Sequence, residues 1–381
     1  MKRGVIRATA PAKLILFGEH FVVYGAKALA TAINRYLTVE ISPLNQKCVL
    51  VEAENFPSLH FSQRAFFHLS CGGELVEGCA KESEAESAER RAEKCAEKES
   101  GETKDLKESL IYVRTALQYI QDKYDISERR NVGLKIKITS EIPISAGLGS
   151  SAATCVATIA ALNEYFGISS AKEAGEEFRR EVSRDAREVE RLVQGAASPT
   201  DTAVASHGGF VLVEGESVRK FELPSFEMLV ASSHCFPFDA SLKLKTKHLV
   251  ERVKAKKEKF PSIFSHFLKA ASEITEEGVK ALKNRDFRTF GMLLNMNHGL
   301  LNAIGVVPKN LGAFVATAKR LGALGAKVTG AGSTEELAVG SVLVLPQTPE
   351  DACLIEGALK AEGARVMRVK VGVEGVTSSP H

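Results

Sequence analysis

Residues 134–153, LKIKITSEIPISAGLGSSAA, contain the succession of strand, glycine loop and helix start that decides the fold. Leu134, Ile136 and Ile138 alternate with polar residues, which is the period of a half-buried β-strand. From Ala152 to Phe166 the chain is rich in Ala and Leu, a composition that favours a helix. The sequence therefore predicts a strand that passes into a helix through a short glycine loop.

This loop has the composition of a phosphate-binding loop. Gly147 and Gly149 let backbone N–H groups approach an anion, because no side chain stands in the way. The first turn of the helix adds unpaired donors and the positive end of its dipole. Ser150 and Ser151 supply hydroxyls for a phosphate oxygen or a Mg2+ ion. The loop matches neither the P-loop nor the Rossmann pattern, so it indicates a different nucleotide site, and a plain turn with serine caps is the alternative.

Length and composition are those of an ordinary globular protein. The 381 residues are enough for two domains, and 44% of them are hydrophobic and 25% charged. A net charge of +3 gives no basis for a nucleic-acid or membrane partner. We find no signal peptide or long apolar run and expect a cytoplasmic protein. The seven cysteines lack C-x-x-C spacing, so we expect free thiols rather than disulfides or a zinc site.

The pattern along the chain alternates strands and helices around one polar insertion. Strands are expected over residues 7–17 and 37–42, with a short helix between them. Residues 77–108 carry almost no large apolar side chain, so we expect a solvated insertion, helical or disordered. Further helices are expected over 172–193, 246–259, 262–283, 286–303 and 308–321. The chain closes with strand-like stretches within 326–344 and near 366–371.

Lys13 is a charged residue inside the apolar run of residues 10–20, APAKLILFGEH. It is either a solvated edge position or a cation held against a phosphate or an ionising hydroxyl. Glu19 and His20 follow on a predicted turn. They are weaker evidence for a site, because a lone histidine is usually a satisfied hydrogen-bonding residue.

Two further carboxylates stand out. Glu190 ends an i+4 row of otherwise apolar residues, Ala174, Phe178, Val182 and Ala186. A carboxylate on that stripe needs a cation or hydrogen-bond donors, and Mg2+ carried by nucleotide phosphates would serve; the alternative is that the row has drifted toward solvent. Asp201 closes the run Ser198-Pro-Thr-Asp, which by itself predicts a capping box with Ser198 as the N-cap.

Three stretches together resemble the mevalonate kinases, a family of the GHMP kinase superfamily. They are residues 10–25 (APAKLILFGEHFVVYG), 143–153 (PISAGLGSSAA) and 190–201 (ERLVQGAASPTD). GLGSSA alone indicates only the superfamily, whereas GEHxVVYG is typical of mevalonate kinases and GAASPTD is similar to the archaeal branch. The resemblance continues in 246–250 (TKHLV) and 295–305 (NMNHGLLNAIG), so it spans nearly the whole chain.

The resemblance implies an α+β two-domain GHMP kinase fold. An N-terminal α/β domain over residues 1–221, with a left-handed β-α-β unit, would precede a ferredoxin-like C-terminal domain over 222–381, with the active site in the cleft between them. The implied activity is ATP-dependent phosphorylation of the mevalonate 5-hydroxyl in isoprenoid biosynthesis. ATP and Mg2+ are the implied cofactors, and a homodimer is the family expectation.

The resemblance also implies roles by position. The nucleotide phosphates would lie against Pro143, Ala146, Gly147, Leu148, Gly149, Ser150, Ser151, Ala152, Gly330 and Gly332. Ser151 and Glu190 would hold Mg2+. Asp201 would face the substrate hydroxyl with Lys13 beside it. The remaining substrate contacts would come from Glu19, His20, Thr246 and Ala331.

The third motif departs from the family pattern. Here Lys327-Val-Thr-Gly-Ala-Gly332 is followed by Ser-Thr-Glu-Glu336, where the family continues with glycines. Two carboxylates near a triphosphate would repel it, so either the loop bends them away or this part of the site is altered. Two alternatives stay open: another GHMP kinase, acting on phosphomevalonate or on a different hydroxyl of mevalonate, and a ligand-binding homologue that has lost turnover.

Overall fold

The structure is a computed structural model that describes residues 4–45, 48–53, 59–62, 101–124, 133–143, 146–195, 197–233, 241–330 and 340–380. Most of the expected insertion at 77–108 lies outside these residues. The same holds for Ala331, Gly332 and the four residues that follow them.

The described residues form twelve strands, numbered in chain order. They are β1 (Ile6–Phe17), β2 (Ala28–Leu44), β3 (Cys48–Ala53), β4 (Leu59–Ser62), β5 (Gly133–Ser140), β6 (Phe210–Glu214), β7 (Ser217–Phe221), β8 (Glu227–Ser233), β9 (Gly325–Thr329), β10 (Ser341–Leu345), β11 (Ala364–Lys370) and β12 (Thr377–Pro380).

The longer helices of the same residues are numbered likewise. They are α1 (Gly101–Tyr124), α2 (Ser150–Phe166), α3 (Glu176–Gln194), α4 (Pro199–His207), α5 (Ser241–Lys259), α6 (Pro261–Lys283), α7 (Phe287–Ile304), α8 (Lys309–Arg320) and α9 (Pro349–Ala361). A 3₁₀ turn, Phe21–Tyr24, forms where a short helix was predicted between the first two strands. No helix in the described ranges combines the length and apolar character that crossing a membrane requires.

The strands make two sheets. The large sheet has the order β12-β1-β2-β5-β3-β4, and β6 and β7 extend it from β2. Its β3–β5 pair is parallel, so β3, α1 and β5 form a β-α-β unit. The small sheet is antiparallel, with the order β11-β8-β10-β9. The succession of β8, helices, β9, β10, α9 and β11 confirms the predicted ferredoxin-like arrangement.

One hydrophobic core joins the two sheets. Phe17 of β1 meets Phe290 of α7 edge to face, with ring centroids 5.3 Å apart. The ring centroid of Phe226 lies 5.7 Å from that of Phe290, also edge to face. A Cβ at Gly278 of α6 would come within 2.3 Å of the Phe17 ring, so that helix packs directly on β1. The end of β1 is therefore held by elements from both halves of the chain.

Helix α2 is buried along nearly its whole length and contacts β1, β2 and the helices α1, α3 and α4. Its small side chains permit this close packing. The predicted helix over 172–193 is interrupted instead: a short turn, Ala171–Ala174, ends at Gly175, whose φ of 50° breaks the helix before α3 begins. Because β5 leads into α2, the glycine loop connects the large sheet to this buried helix.

Candidate active site

The glycine loop is tied down on two sides. The backbone N–H of Lys13 in β1 donates to the carbonyl of Leu148 at 2.9 Å. The hydroxyl of Ser341, at the start of β10, donates to the carbonyl of Ala146 at 2.8 Å. The described part of the loop, residues 146–149, is therefore bonded to both sheets.

The N-terminus of α2 is open to an anion. Gly147 and Gly149 have φ values of 73° and 77°, the left-handed region that glycine adopts without strain. Among the described side chains none caps this helix end, and its first turn contains no acidic residue. Ser150 and Ser151 are half-buried there. The free N–H groups and the helix dipole make this end a suitable phosphate site.

Lys13 and Asp201 form an ion pair beside the loop, with Nζ and Oδ1 3.1 Å apart. Lys13 is only 5% exposed, so it is not a solvated edge residue. The predicted N-cap is confirmed but the capping box is not: Ser198 is the N-cap of α4 and accepts from the N–H of Thr200 at 3.2 Å, not from that of Asp201. The carboxylate of Asp201 turns to Lys13, and its side chain stays 32% exposed and open to a ligand.

Glu190 is buried at the end of its apolar row, with 6% of its surface exposed. Burial first, and the charge of Asp201 second, raise its pKa to about 8, while Lys13 acts in the opposite direction. Burial first, and the charge of Glu190 second, raise the pKa of the Cys155 thiol on α2, a helix that contacts α3. Ser151 lies one turn before Cys155 on the same face of α2.

Glu19 and His20 occupy the turn after β1. Glu19 is 2% exposed, and its carboxylate bonds to the ammonium of Lys327 and, at 3.4 Å, to the amide of Asn297. His20 has a φ of 60°, unusual for a residue with a side chain. Burial lowers the pKa of His20, the charge of Glu19 opposes this shift, and the charge of Lys327 adds to it.

Lys327 and Asn297 bond to Glu19, and the sequence pattern alone does not indicate either of them as a candidate site residue. Lys327 lies on β9 and is fully buried. It carries the same signal as Lys13, a lysine within an apolar strand, which by itself also fits a solvated edge position. Asn297 lies on α7 and is also fully buried; its residue type alone gives no comparable signal.

The third motif reaches the loop at one described residue. A Cβ on Gly330, whose φ is 92°, would lie 3.1 Å from the Cα of Gly147, so these backbones touch. Thr329 donates to the carbonyl of Ile15 at 2.9 Å. Pro143 and Ala152 flank the glycine loop in the chain. Gly332 and Ala331 lie outside the described residues, and for Thr246 only the backbone in α5 is described.

The described side chains offer few ligands for a metal ion. In the ranges that the structure describes, no group of three or more His, Cys, Asp or Glu side chains could hold a metal ion. The two cysteines with described side chains, Cys155 and Cys353, are free thiols, as expected. A cation bound among the described residues would therefore need further oxygen ligands beyond their side chains.

Comparison with known proteins gives family matches in both halves. Residues 111–209 match the family model described as GHMP kinases N terminal domain, and residues 279–334 match GHMP kinases C terminal. A curated mevalonate kinase from Pyrococcus furiosus is 32% identical, with 97% of each chain covered. One from Thermococcus gammatolerans is 33% identical, also with 97% of each chain covered.

Solved structures agree on the fold. The crystal structure of L. major mevalonate kinase in complex with R-mevalonate has a TM-score of 0.69 and 24% identity, with 96% of each chain covered. A crystal structure of the Methanococcus jannaschii mevalonate kinase has a TM-score of 0.71 and 24% identity, covering 96% of this chain and 98% of that one. With curated relatives above 30% identity over nearly the full length, this chain belongs to the mevalonate kinase family of the GHMP kinases.

Proposed function

We propose that this chain transfers the terminal phosphoryl group of ATP to the 5-hydroxyl of mevalonate, giving 5-phosphomevalonate and ADP. One observation carries the proposal. Lys13 binds the glycine loop through its backbone N–H and Asp201 through its ammonium, so one buried residue joins the phosphate side of the site to the acceptor side. The curated relatives are named mevalonate kinase, and this name is the reason for proposing mevalonate as the acceptor.

The phosphate groups of ATP would lie against Gly147, Gly149 and the first turn of α2. Both glycines are left-handed and have no side chain to block an anion, and the uncapped helix end adds its dipole. Gly330 would close the loop from the C-terminal half, because its backbone already touches Gly147.

Asp201 would accept the proton of the acceptor hydroxyl. An alkyl hydroxyl has a pKa near that of water, roughly 15.7, so an aspartate cannot deprotonate it before the reaction begins. The proton instead passes to Asp201 as the bond to phosphorus forms. Lys13 would hold Asp201 in place and stabilise the negative charge that develops. In a loose phosphoryl-transfer transition state, alignment and charge stabilisation supply most of the rate.

Glu190 and Ser151 are the residues that would hold Mg2+. In the described part of the chain Glu190 has no ion pair of its own, and its raised pKa identifies a buried carboxylate that a cation would stabilise. A carboxylate and a hydroxyl are hard oxygen ligands, the type that Mg2+ prefers. The bound ion would neutralise phosphate charge during transfer.

The remaining family expectations are also proposals. The two domains would divide between β7 and β8, at residues 221 and 222, although β12 at the chain end returns to pair with β1. Homodimerisation and a cytoplasmic location are carried over from the resemblance and the composition. Light scattering on the purified protein would test the dimer.

ADP release tests the function. The purified protein receives ATP and Mg2+ with mevalonate, phosphomevalonate, homoserine or galactose in separate reactions. We expect turnover with mevalonate alone, and phosphorus NMR of the product should show a phosphate ester at the 5-position. Turnover confined to another acceptor would contradict the proposal. Mevalonate binding without ADP release would indicate a homologue that has lost activity.

A further inference from the structure

Three side chains from distant parts of the chain meet at one buried point. Glu19 comes from the turn after β1, Lys327 from β9 and Asn297 from α7, and none is more than 2% exposed. The Lys327 ammonium bonds to one carboxylate oxygen of Glu19, and the Asn297 amide donates to the other at 3.4 Å. Both oxygens of Glu19 therefore have partners inside the protein.

The same elements also hold the backbone of this turn. The Lys327 ammonium donates to the carbonyl of Ile15 at 3.3 Å, and the Thr329 hydroxyl donates to that carbonyl at 2.9 Å. The N–H of Gly18 donates to Asn297 Oδ1 at 3.3 Å. The C-terminal half thus fixes the end of β1, the strand that carries Lys13.

His20 follows directly, in a strained conformation with a φ of 60°. Such a conformation persists only where the surrounding structure over-determines it. The bonds to Glu19 and Gly18 hold His20 in this conformation, because the backbone on its N-terminal side cannot relax while those bonds are in place.

The described part of the phosphate loop makes no direct bond to the side chains of this cluster. Its bonds run from Lys13 to Leu148 and from Ser341 to Ala146, and neither bond uses Lys327 or Asn297. Loss of the cluster should therefore affect the acceptor side of the site and spare the nucleotide side.

We infer that Lys327 is a positioning residue that acts through Glu19 to hold the Gly18–His20 turn in place for the phosphoryl acceptor. The inference rests on the proposed function and on the family resemblance, which implies that Glu19 and His20 contact mevalonate. A buried lysine beside a buried carboxylate that only stabilised the fold would have no selective effect on one substrate.

The variant Lys327→Met tests this role. KM for mevalonate, kcat, and Kd for ATP without mevalonate are measured together with the melting temperature. We expect KM for mevalonate to rise at least tenfold while Kd for ATP stays within twofold of the wild type. Lys123→Met is the matched control, because Lys123 pairs at 2.7 Å with the fully buried Asp185 and no described bond links that pair to β1, β9 or α7. It should leave both constants within twofold.

Lys327→Met leaves the buried Glu19 carboxylate without its cation, which can prevent folding. A second variant tests the inference in that case. Asn297→Ala keeps the ion pair and removes the bonds to Gly18 and Glu19. It should raise KM for mevalonate at least threefold without changing Kd for ATP.

Two results would overturn the inference. One is a folded Lys327→Met protein, or failing that Asn297→Ala, with KM for mevalonate and kcat within twofold of the wild type. The other is a rise in Kd for ATP by the same factor as KM, which a general structural effect would produce. A wild-type protein that releases no ADP with mevalonate would instead refute the proposed function, and the inference with it.

Discussion

The backbone of Gly149 lies directly on the side chain of Lys13. A Cβ at position 149 would come within 2.7 Å of Lys13 Cγ and 3.2 Å of its Cε. Gly149 also has a φ of 77°, at the start of α2. The glycine therefore does more than expose N–H groups to a phosphate, since it makes room for the lysine that pairs with Asp201.

Gly149→Ala should lower kcat by at least about tenfold, because the new methyl group displaces Lys13 and a 1 Å misplacement in a site can cost about a hundredfold. Gly167→Ala is the matched control at the other end of α2, where φ is 62° and nothing lies within 4 Å. Both variants carry a similar backbone strain of about 1–2 kcal/mol. Steady-state ADP release measures kcat, and equal values for the two variants would show that the contact with Lys13 is unimportant.

Glu190→Gln should make the protein more stable at pH 8 in the absence of Mg2+ and nucleotide. The pKa of Glu190 is raised to about 8, so the folded protein keeps a proton that the unfolded chain loses near pH 4.5. The free energy of unfolding therefore falls as pH rises from about 4.5 to about 8, by at most about 1.4 kcal/mol per pH unit. Urea denaturation at pH 5, 6.5 and 8 should show this decline in the wild type and a flatter profile in the variant.

The same variant should need at least about tenfold more Mg2+ for half-maximal activity, because it removes a metal ligand. Glu188→Gln is the control, since that carboxylate pairs with Arg191 on the surface of the same helix. It should keep both the wild-type pH profile and the wild-type Mg2+ requirement. An unchanged Mg2+ requirement in Glu190→Gln would exclude Glu190 as a ligand.

His298 should make the fold sensitive to acid. Burial first, and the charges of Lys327 and Lys319 second, lower its pKa to about 4. Between about pH 6.5 and pH 4 this histidine is protonated in the unfolded chain but neutral in the folded protein. The free energy of unfolding therefore falls as pH drops through this range, by at most about 1.4 kcal/mol per pH unit. Protonation would also end the long 3.5 Å bond that Nδ1 accepts from the N–H of Val328.

Urea denaturation at pH 7, 5.5 and 4.5 measures this effect. His298→Gln should lose part of the acid sensitivity, whereas His266→Gln, on the exposed face of α6, should keep the wild-type profile. Parallel profiles for all three proteins would contradict the assignment.

The local parts of the fold were predictable because their patterns are local. The β5–loop–α2 junction and the four C-terminal helices α5 to α8 lie within a few residues of their predicted bounds. Strand β2 was predicted only over 37–42 but runs from Ala28 to Leu44. Its first six residues are buried on both faces and rich in Ala, so they lack the alternation that indicates a strand. Strand β12 has no apolar pattern and forms by pairing with the edge of β1.

The candidate site residues were likewise predictable only where the signal in the sequence is local. Lys13 and Glu190 were identifiable because each is a charge within an apolar pattern, and the structure buries both. Lys327 has that signal too, but its meaning depends on Glu19, 308 residues away in the chain. Such a pairing is a property of the tertiary fold, and no spacing in the sequence reveals it.

The most direct test of the phosphoryl-transfer account is the variant Asp201→Asn, assayed for ADP release with mevalonate and for ATP affinity by calorimetry. Asn keeps the size of the side chain but cannot accept the hydroxyl proton. The account predicts a fall in kcat of about a hundredfold or more, with KM and Kd for ATP within about threefold of the wild type. A kcat within tenfold of the wild type, or equal losses in kcat and ATP affinity, would contradict it.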